Sequence, residues 1–570
     1  VEPDGRARLL FEKGLREAPR TVLGKEIPCL GRDREIRELD SLFEACVEEP
    51  LAQVVVLSGS AGCGKSRVVY EFLERKRDSG HAFELLIGRG DPMRVNVSLG
   101  LIGQALRGAA GISGTEPDDV QRKRLHSHMS RFLPPKSAAT TVAFLGEISN
   151  IRFPDGELPQ LQAARRDARL MADQTMAAWV DWLEAEAEHH PVFVLIEDLH
   201  WGDFASVNYI DSALRVLRDK PLMVLALARP EVDERFFGLW RDRHVQRISL
   251  PPLGKRAEQE FVRRVLGDVA PETMAWLQDH AQGNPFYLEE LVRAAAAGGE
   301  LSQIPSTVLG TVQVRFDAVG EGSKLVLRAA SVFGQSFRAA GVKALVGEMA
   351  DEDVDRWLQI LVDKEILFSR PVGTVRQHVF RHGLLHQAAY AMLSPSEEVN
   401  GHFLAGHFLE EQGERDAIVL ADHFEKGQKP ERAVPWLRVA ANQAMEVDDL
   451  KAALDRVERG VRLGATGEDL AELRVVEAEA RYWKGEYVEA ERAAREGRKC
   501  ADPKLALRAM SALIMGLGPQ AKYEEIGNLA EELESRPVQA ELLNAWLDCK
   551  YNSAAYLATA GRFEAREGIL

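Results

Sequence analysis

Residues 53–80, QVVVLSGSAGCGKSRVVYEFLERKRDSG, decide the fold. Val54–Leu57 is an apolar run short enough for a buried strand, a glycine-rich turn follows, and from Lys65 the pattern turns helical until about Gly80. Strand, turn and helix in that order are the context in which G-x4-G-K-[ST] has a physical meaning. Gly59, Gly62 and Gly64 let backbone N–H groups point inward at phosphate oxygens, and the helix N-terminus adds its positive end. Lys65 is placed to bridge the β- and γ-phosphates, and the Ser66 hydroxyl to ligate Mg²⁺. Gly59, Ser60, Ala61, Gly62, Cys63, Gly64, Lys65, Ser66 and Arg67 are therefore the candidate contacts of ATP or ADP. Cys63, beside Lys65 and a helix start, raises the question of a reactive thiol; a small residue packed under the loop is the favoured reading.

Working outward, HHPVFVLIEDLHWGD (residues 189–203) supplies a second strand, Val192–Ile196, that delivers two acids at its C-terminal end, where open α/β sheets bind ligands. By position, Glu197 takes the metal side, reaching Mg²⁺ through water with Ser66, and Asp198 acts as the base that orients the attacking water. The exchanged assignment stays open, since the acid order is unusual. With Lys65 these form the candidate catalytic set. His200 and Trp201 are read as packing. A third strand, in KPLMVLALARPE (220–231), ends in Arg229, a candidate sensor of the γ-phosphate.

The bulk numbers agree with a multidomain ATP-binding protein. A chain of 570 residues is too long for one core, and 45% hydrophobic with 28% charged residues excludes disorder and fibres. A net charge of −16 opposes a phosphate backbone, so nucleic acid is a minor expectation. The longest apolar runs fall short of the roughly 20 residues of a bilayer helix. Five scattered cysteines without a CxxC pair fit a reducing compartment, and a cytoplasmic location is expected. The first residue is not Met and the last lie inside a helical pattern, so the natural protein is expected to extend further.

Six pieces in order, CLGRDREI, GSAGCGKS, LIEDLHWGD, ALARPE, GNPFYLEEL and FRHGLLHQAAY, span about residues 28–395. Together they resemble the signal transduction ATPases with numerous domains, the STAND branch of AAA+-like NTPases, and among them bacterial members joined to kinases, cyclases or helix-turn-helix regulators. The resemblance implies that Gly31 and Arg32 lie against base and sugar, and that Gly283 and Pro285 close over adenine. It also implies that His382 contacts the ADP β-phosphate and locks a resting state, although Gly383 departs from the aspartate usual beside that histidine.

The organisation expected is multidomain α/β plus all-α. Residues 1–27 read as a helical or linker lead-in and 28–253 as a P-loop nucleotide-binding domain with a parallel sheet and a helical insertion between about Gly108 and Gln160. A helical lid at 254–303 and a winged-helix domain at 304–395 follow, the latter with a hairpin centred on Gly373. From 396 to 570, DDLKAALDRVERG, GEYVEAERAAREG, AKYEEIGNLAEEL and GRFEAREGIL recur as tetratricopeptide-like helix pairs of an α-solenoid. The function expected is an ADP-held switch that senses a protein or peptide ligand through these repeats, exchanges to ATP, self-associates and hydrolyses slowly. A cycling remodelling or DNA-loading ATPase is the alternative.

Overall fold

The computed structural model describes residues 21–560 except 115, 155, 157, 166, 298–304, 306, 348–349, 373–374 and 536–538. The lead-in up to residue 20, the hairpin turn at Gly373 and the last repeat, GRFEAREGIL, lie outside the described residues. Residues 21–26 are not helical: β1 (Thr21–Val22) and β2 (Lys25–Glu26) form a short antiparallel ladder, and Val22 packs into the helical core of the segment 255–296.

Five parallel strands, β3 (Gln53–Ser58), β4 (Glu84–Arg89), β5 (Val192–Glu197), β6 (Leu222–Ala228) and β7 (Gln246–Ser249), form one sheet in the order β4-β5-β6-β3-β7. Their near-continuous apolar runs follow from burial on both faces. Val55, Leu57, Phe193, Leu195, Met223 and Leu225 face the helices 33–48 and 65–78, whereas Val54, Val56, Val194, Ile196 and Val224 face the helices 100–109, 168–187 and 204–216. Helices 118–129, 138–148 and 159–164 occupy the stretch read as an insertion and join the second of these cores. The strand order has a direct chemical result. Because β6 lies between β3 and β5, the C-terminal edge of the sheet presents, side by side, Arg89, the acids 197–198, Arg229 and the glycine-rich loop.

Helices 255–266, 271–281 and 285–296 form a small bundle beside that edge. A winged-helix arrangement follows: helices 308–317, 321–331, 339–346, 351–363 and 383–390 pack on an antiparallel sheet of β8 (Ser336–Arg338), β9 (Leu367–Val372) and β10 (Val375–Phe380), ordered β8-β10-β9. Antiparallel helix pairs complete the described chain, with second helices starting at Leu450, Tyr487 and Tyr523. Buried alanines such as Ala441, Ala444, Ala453, Ala480, Ala494 and Ala509 bring these helices close, and a Cβ at Gly460 would lie 2.7 Å from Leu473. None of the described helices is long and apolar enough to cross a membrane.

Where the first pair, 395–411 and 417–426, meets the winged helix, His402 and His423 are buried ring to ring, Nδ1 to Nδ1 at 3.0 Å, and the Tyr390 hydroxyl lies 2.8 Å from His402 Nε2. Burial, then Lys426 and Arg94, hold His423 down to about 3, and burial, then the field of His423 and Lys426, depress His402 likewise. Unfolded, both rings take up protons as pH falls through ~6.5; folded, they stay neutral far below it, so stability is lost on acidification. The free energy of unfolding is expected to fall between pH 7 and pH 5 by up to ~1.4 kcal/mol per pH unit per ring, lowering the thermal midpoint, and the slope to become shallower in His423→Leu. Melts at the two pH values check this.

Candidate active site

The loop after β3 has the backbone that its glycines permit: φ is 80° at Gly62 and 98° at Gly64, in the left-handed region that a side chain resists. The N–H groups of Gly64, Lys65 and Ser66, at the start of the helix 65–78, donate to no described residue and converge where an anion would sit. Lys65 is buried and donates from Nζ to Gly59 O at 2.7 Å and Ser60 O at 3.0 Å. Its ammonium folds back on the loop, and burial lowers its pKa. The residues fit a nucleotide phosphate with Mg²⁺: free N–H donors, the Lys65 ammonium, the Ser66 hydroxyl and two carboxylates share one cavity.

Along the adjacent edge, β4 and β5 pair in a register that sets Arg89 beside Glu197. Arg89 Nε forms a close ion pair with Glu197 Oε2. Gly90 continues the ladder by donating to Glu197 O at 2.8 Å, and a Cβ there would lie 2.3 Å from the Asp198 carbonyl oxygen. Asp198, at φ 51°, leaves the strand as the chain turns. Burial raises its pKa, the Glu197 charge adds to this, and Lys65 and Arg229 oppose it. Asp198 is thus the acid that feels the Lys65 ammonium, while Glu197 is engaged by Arg89. Arg229 follows β6 and forms no hydrogen bond or ion pair with a described residue, which leaves its guanidinium available to an anion. His200 is buried among these cations, and burial, then Arg229 and Lys65, hold it neutral down to about 3.

The lid segment sits directly on the loop. Asn284 caps the helix 285–296 by accepting from Phe286 N and Tyr287 N, contributing about 1 kcal/mol, and its Nδ2 donates to Ala61 O at 3.0 Å. Phe286 N donates to Gly62 O at 3.3 Å, and Pro285 Cγ would lie 3.8 Å from a Cβ on Gly64. His382 then stacks on Phe286, ring centroids 4.1 Å apart and 17° from parallel, and its Nδ1 accepts from Leu384 N. Loop, lid and winged helix make one continuous contact.

Other expected contacts are placed differently. Arg32 is 3% exposed and donates from Nη2 to Cys63 O at 3.0 Å, so it braces the loop from beneath. Gly31 packs against the lid, where a Cβ would lie 2.7 Å from Ala257 Cβ. Arg67 donates to Ile27 O at 2.6 Å. Cys63 is buried in the sheet core, 3.9 Å from Lys65 Nζ. Arg89, Asp91, Asn284 and Phe286 were not singled out from the sequence. Arg89 had a signal, an arginine ending an apolar strand as Arg229 does. At the opposite end of the sheet Glu84, Glu186 and His190 also converge, but Arg131 bridges both carboxylates and His128 pairs with Glu84, which makes that cluster an ion-pair network.

Residues 28–225 match the AAA ATPase domain family. An uncharacterized protein of Rhizobium meliloti (strain 1021) is 24% identical over 448 residues, covering 73% of this chain and 41% of the relative. The chain thus spans about two-fifths of the length of that curated relative. Among solved structures, a signal transduction ATPase with numerous domains bearing a tetratricopeptide repeat sensor, from Pyrococcus horikoshii, is similar over 93% of this chain and 67% of its own, with TM-score 0.47 and 15% identity. The Aeropyrum pernix ORC1 protein in complex with DNA is similar over 64% of this chain and 93% of its own, with TM-score 0.30 and 12% identity.

Proposed function

We propose that this chain, an ATPase by its AAA domain at residues 28–225, is a signalling switch of the STAND type, held inactive with ADP and opened by exchange to ATP. The observation that carries the reading is the closed stack of Gly62, Asn284, Phe286 and His382, which covers the phosphate loop with the lid and ties the lid to the winged helix. A second set of contacts supports it. The loop after β4 is held by the repeats and the winged helix: Arg94 pairs with Glu414 at 2.7 Å and Asp416 at 3.0 Å, Ser98 with Asp449, and Asp91 accepts from Gln335 N at 3.1 Å. A signal on the repeats that favours the open form would have to break these contacts, and only a partner with higher affinity for that form shifts the balance. The partner read for the repeats is a protein or peptide, and the opened chain would self-associate.

In this reading Lys65 leaves Gly59 O and Ser60 O to meet the phosphates, and the loop N–H groups and Arg229 hold their oxygens. Glu197, once released by Arg89, would with Ser66 hold Mg²⁺ through water, and Asp198, with its raised pKa, would accept the proton of the attacking water. Mg²⁺ supplies neutralisation of phosphate charge when bound. While Arg89 holds Glu197, turnover is slow.

Purified protein is expected to release stoichiometric ADP on denaturation. His382→Ala, which removes an aromatic stack of about 0.5–1.5 kcal/mol, is expected to speed ADP release roughly 2- to 10-fold in a stopped-flow chase. An empty site with rapid multiple turnover would instead favour a cycling ATPase, and an unchanged off-rate would return His382 to a packing role.

A further inference from the structure

The short ladder at residues 21–26 is fastened to three parts of the chain at once. Val22 and Ile27 are buried in the core of the lid with Phe261, Val265 and Leu288, and Lys25 Nζ donates to Val265 O at 2.7 Å. At its C-terminal end the segment meets the nucleotide-binding domain, where Arg67, the residue after Ser66, donates to Ile27 O at 2.6 Å. At its other end it meets the winged helix: Thr21 Oγ1 donates to Glu365 Oε1, and Leu23 N donates to Glu365 Oε2 at 3.3 Å.

These contacts converge on one carboxylate. Glu365, its side chain 11% exposed, stands between the helix 351–363 and β9. Arg293 of the lid forms a close ion pair with it, and Arg381 lies 3.8 Å away. Both arginines also donate to Thr21 O, at 3.3 Å and 3.2 Å. Arg381 directly precedes His382, so the network continues into the stack of His382 on Phe286. The two turns that meet here hold a backbone that side chains resist: φ is 58° at Glu365 and 53° at Leu23. Left-handed backbone at non-glycine residues persists only where the surroundings over-determine it, and such strain collects at elements that change state.

We propose that residues 21–27 are a clasp over the seam between lid and winged helix, keyed by Glu365, and that the switch opens only when this clasp lets go. The inference rests on the switch reading above and adds to it the fastening that has to be undone. The winged helix cannot leave the lid without parting Glu365 from Arg293, and the departing carboxylate takes with it the anchor of Thr21 and Leu23. The far end of the same segment is held by Arg67 beside Ser66, so the phosphate loop and the seam are coupled through one short strap.

The test uses the full chain, saturated either with ADP and Mg²⁺ or with ATPγS and Mg²⁺. Amide exchange of residues 21–27, followed by mass spectrometry, is expected to be at least ~10-fold faster in the ATPγS state. Two variants act from opposite sides of the contact: Glu365→Gln keeps the shape and removes the charge, and Thr21→Val keeps the shape and removes the hydroxyl. Each is expected to speed ADP release at least ~5-fold in a stopped-flow chase, and the double variant no more than the faster single one, since both undo one fastening. Should Glu365→Gln fail to fold, Thr21→Val alone carries the release measurement. Equal exchange in the two nucleotides overturns the clasp, and so do unchanged release rates in the variants. If His382→Ala speeds release while these variants do not, this inference falls and the switch reading stands. If the purified protein holds no ADP and turns over rapidly, the switch reading falls, and the exchange comparison at saturating nucleotide still decides on the clasp.

Discussion

Lys65→Ala is expected to weaken binding of both ADP and ATP at least ~100-fold in a calorimetric titration, with the thermal midpoint of the nucleotide-free protein close to that of wild type. Charge-assisted hydrogen bonds contribute about 1.5–3 kcal/mol each, and Lys65 is the buried cation beside the unpartnered N–H groups of Gly64 and Ser66. Two such bonds to phosphate oxygens correspond to about 3–6 kcal/mol, hence two to four decades in affinity. The loss to folding is small because Nζ now meets the carbonyls of Gly59 and Ser60 and the Cys63 sulfur on its own loop, at the wall of an open cavity. Unaltered nucleotide affinity would sink the assignment of the loop. A large fall in stability with it would mean that Lys65 serves the fold first.

Asp198→Asn is expected to leave ATP affinity within a few-fold of wild type and to slow hydrolysis by about 10²–10⁴, the usual contribution of a positioned general base. The replacement keeps the shape of the side chain and removes the charge that burial and Glu197 already disfavour. Single-turnover assays separate the step from ADP release, which limits steady-state rates if the resting state is locked. Loss of binding with turnover preserved would exchange the roles, making Asp198 the metal-side acid and Glu197 the base. Glu197→Gln in the same assay is the control, since its carboxylate starts on Arg89.

What the sequence made legible follows a physical boundary. The loop, the acid strand and the strand ending in Arg229 each declare themselves within about a dozen residues, because a buried parallel strand is an uninterrupted apolar run and the phosphate chemistry stands at its end. Arg89 ends a similar run, but its meaning depends on β4 lying beside β5 in one register, and register between strands more than a hundred residues apart is not written in either of them. Arg32 had a motif and no direction; only the packed structure shows it turned under the loop to Cys63 O. Asn284 stands between the two residues that the resemblance sets over adenine, and its hydrogen bond to Ala61 O needs the docked lid. The ladder of residues 21–26 is too short to impose a period, so nothing distinguished it from a linker.

Arg89, which holds an acid of the candidate catalytic set, and Arg94, which holds the repeats, stand five residues apart on one unbroken length of backbone. At no more than ~3.6 Å per residue, less than about 18 Å of chain separates them. Covalent bonds cap the distance between the two ends, so a displacement of Arg94 that exceeds the slack of the segment has to be taken up at Arg89. In the switch proposed above, whatever the repeats recognise would therefore reach the acids through a segment only five residues long.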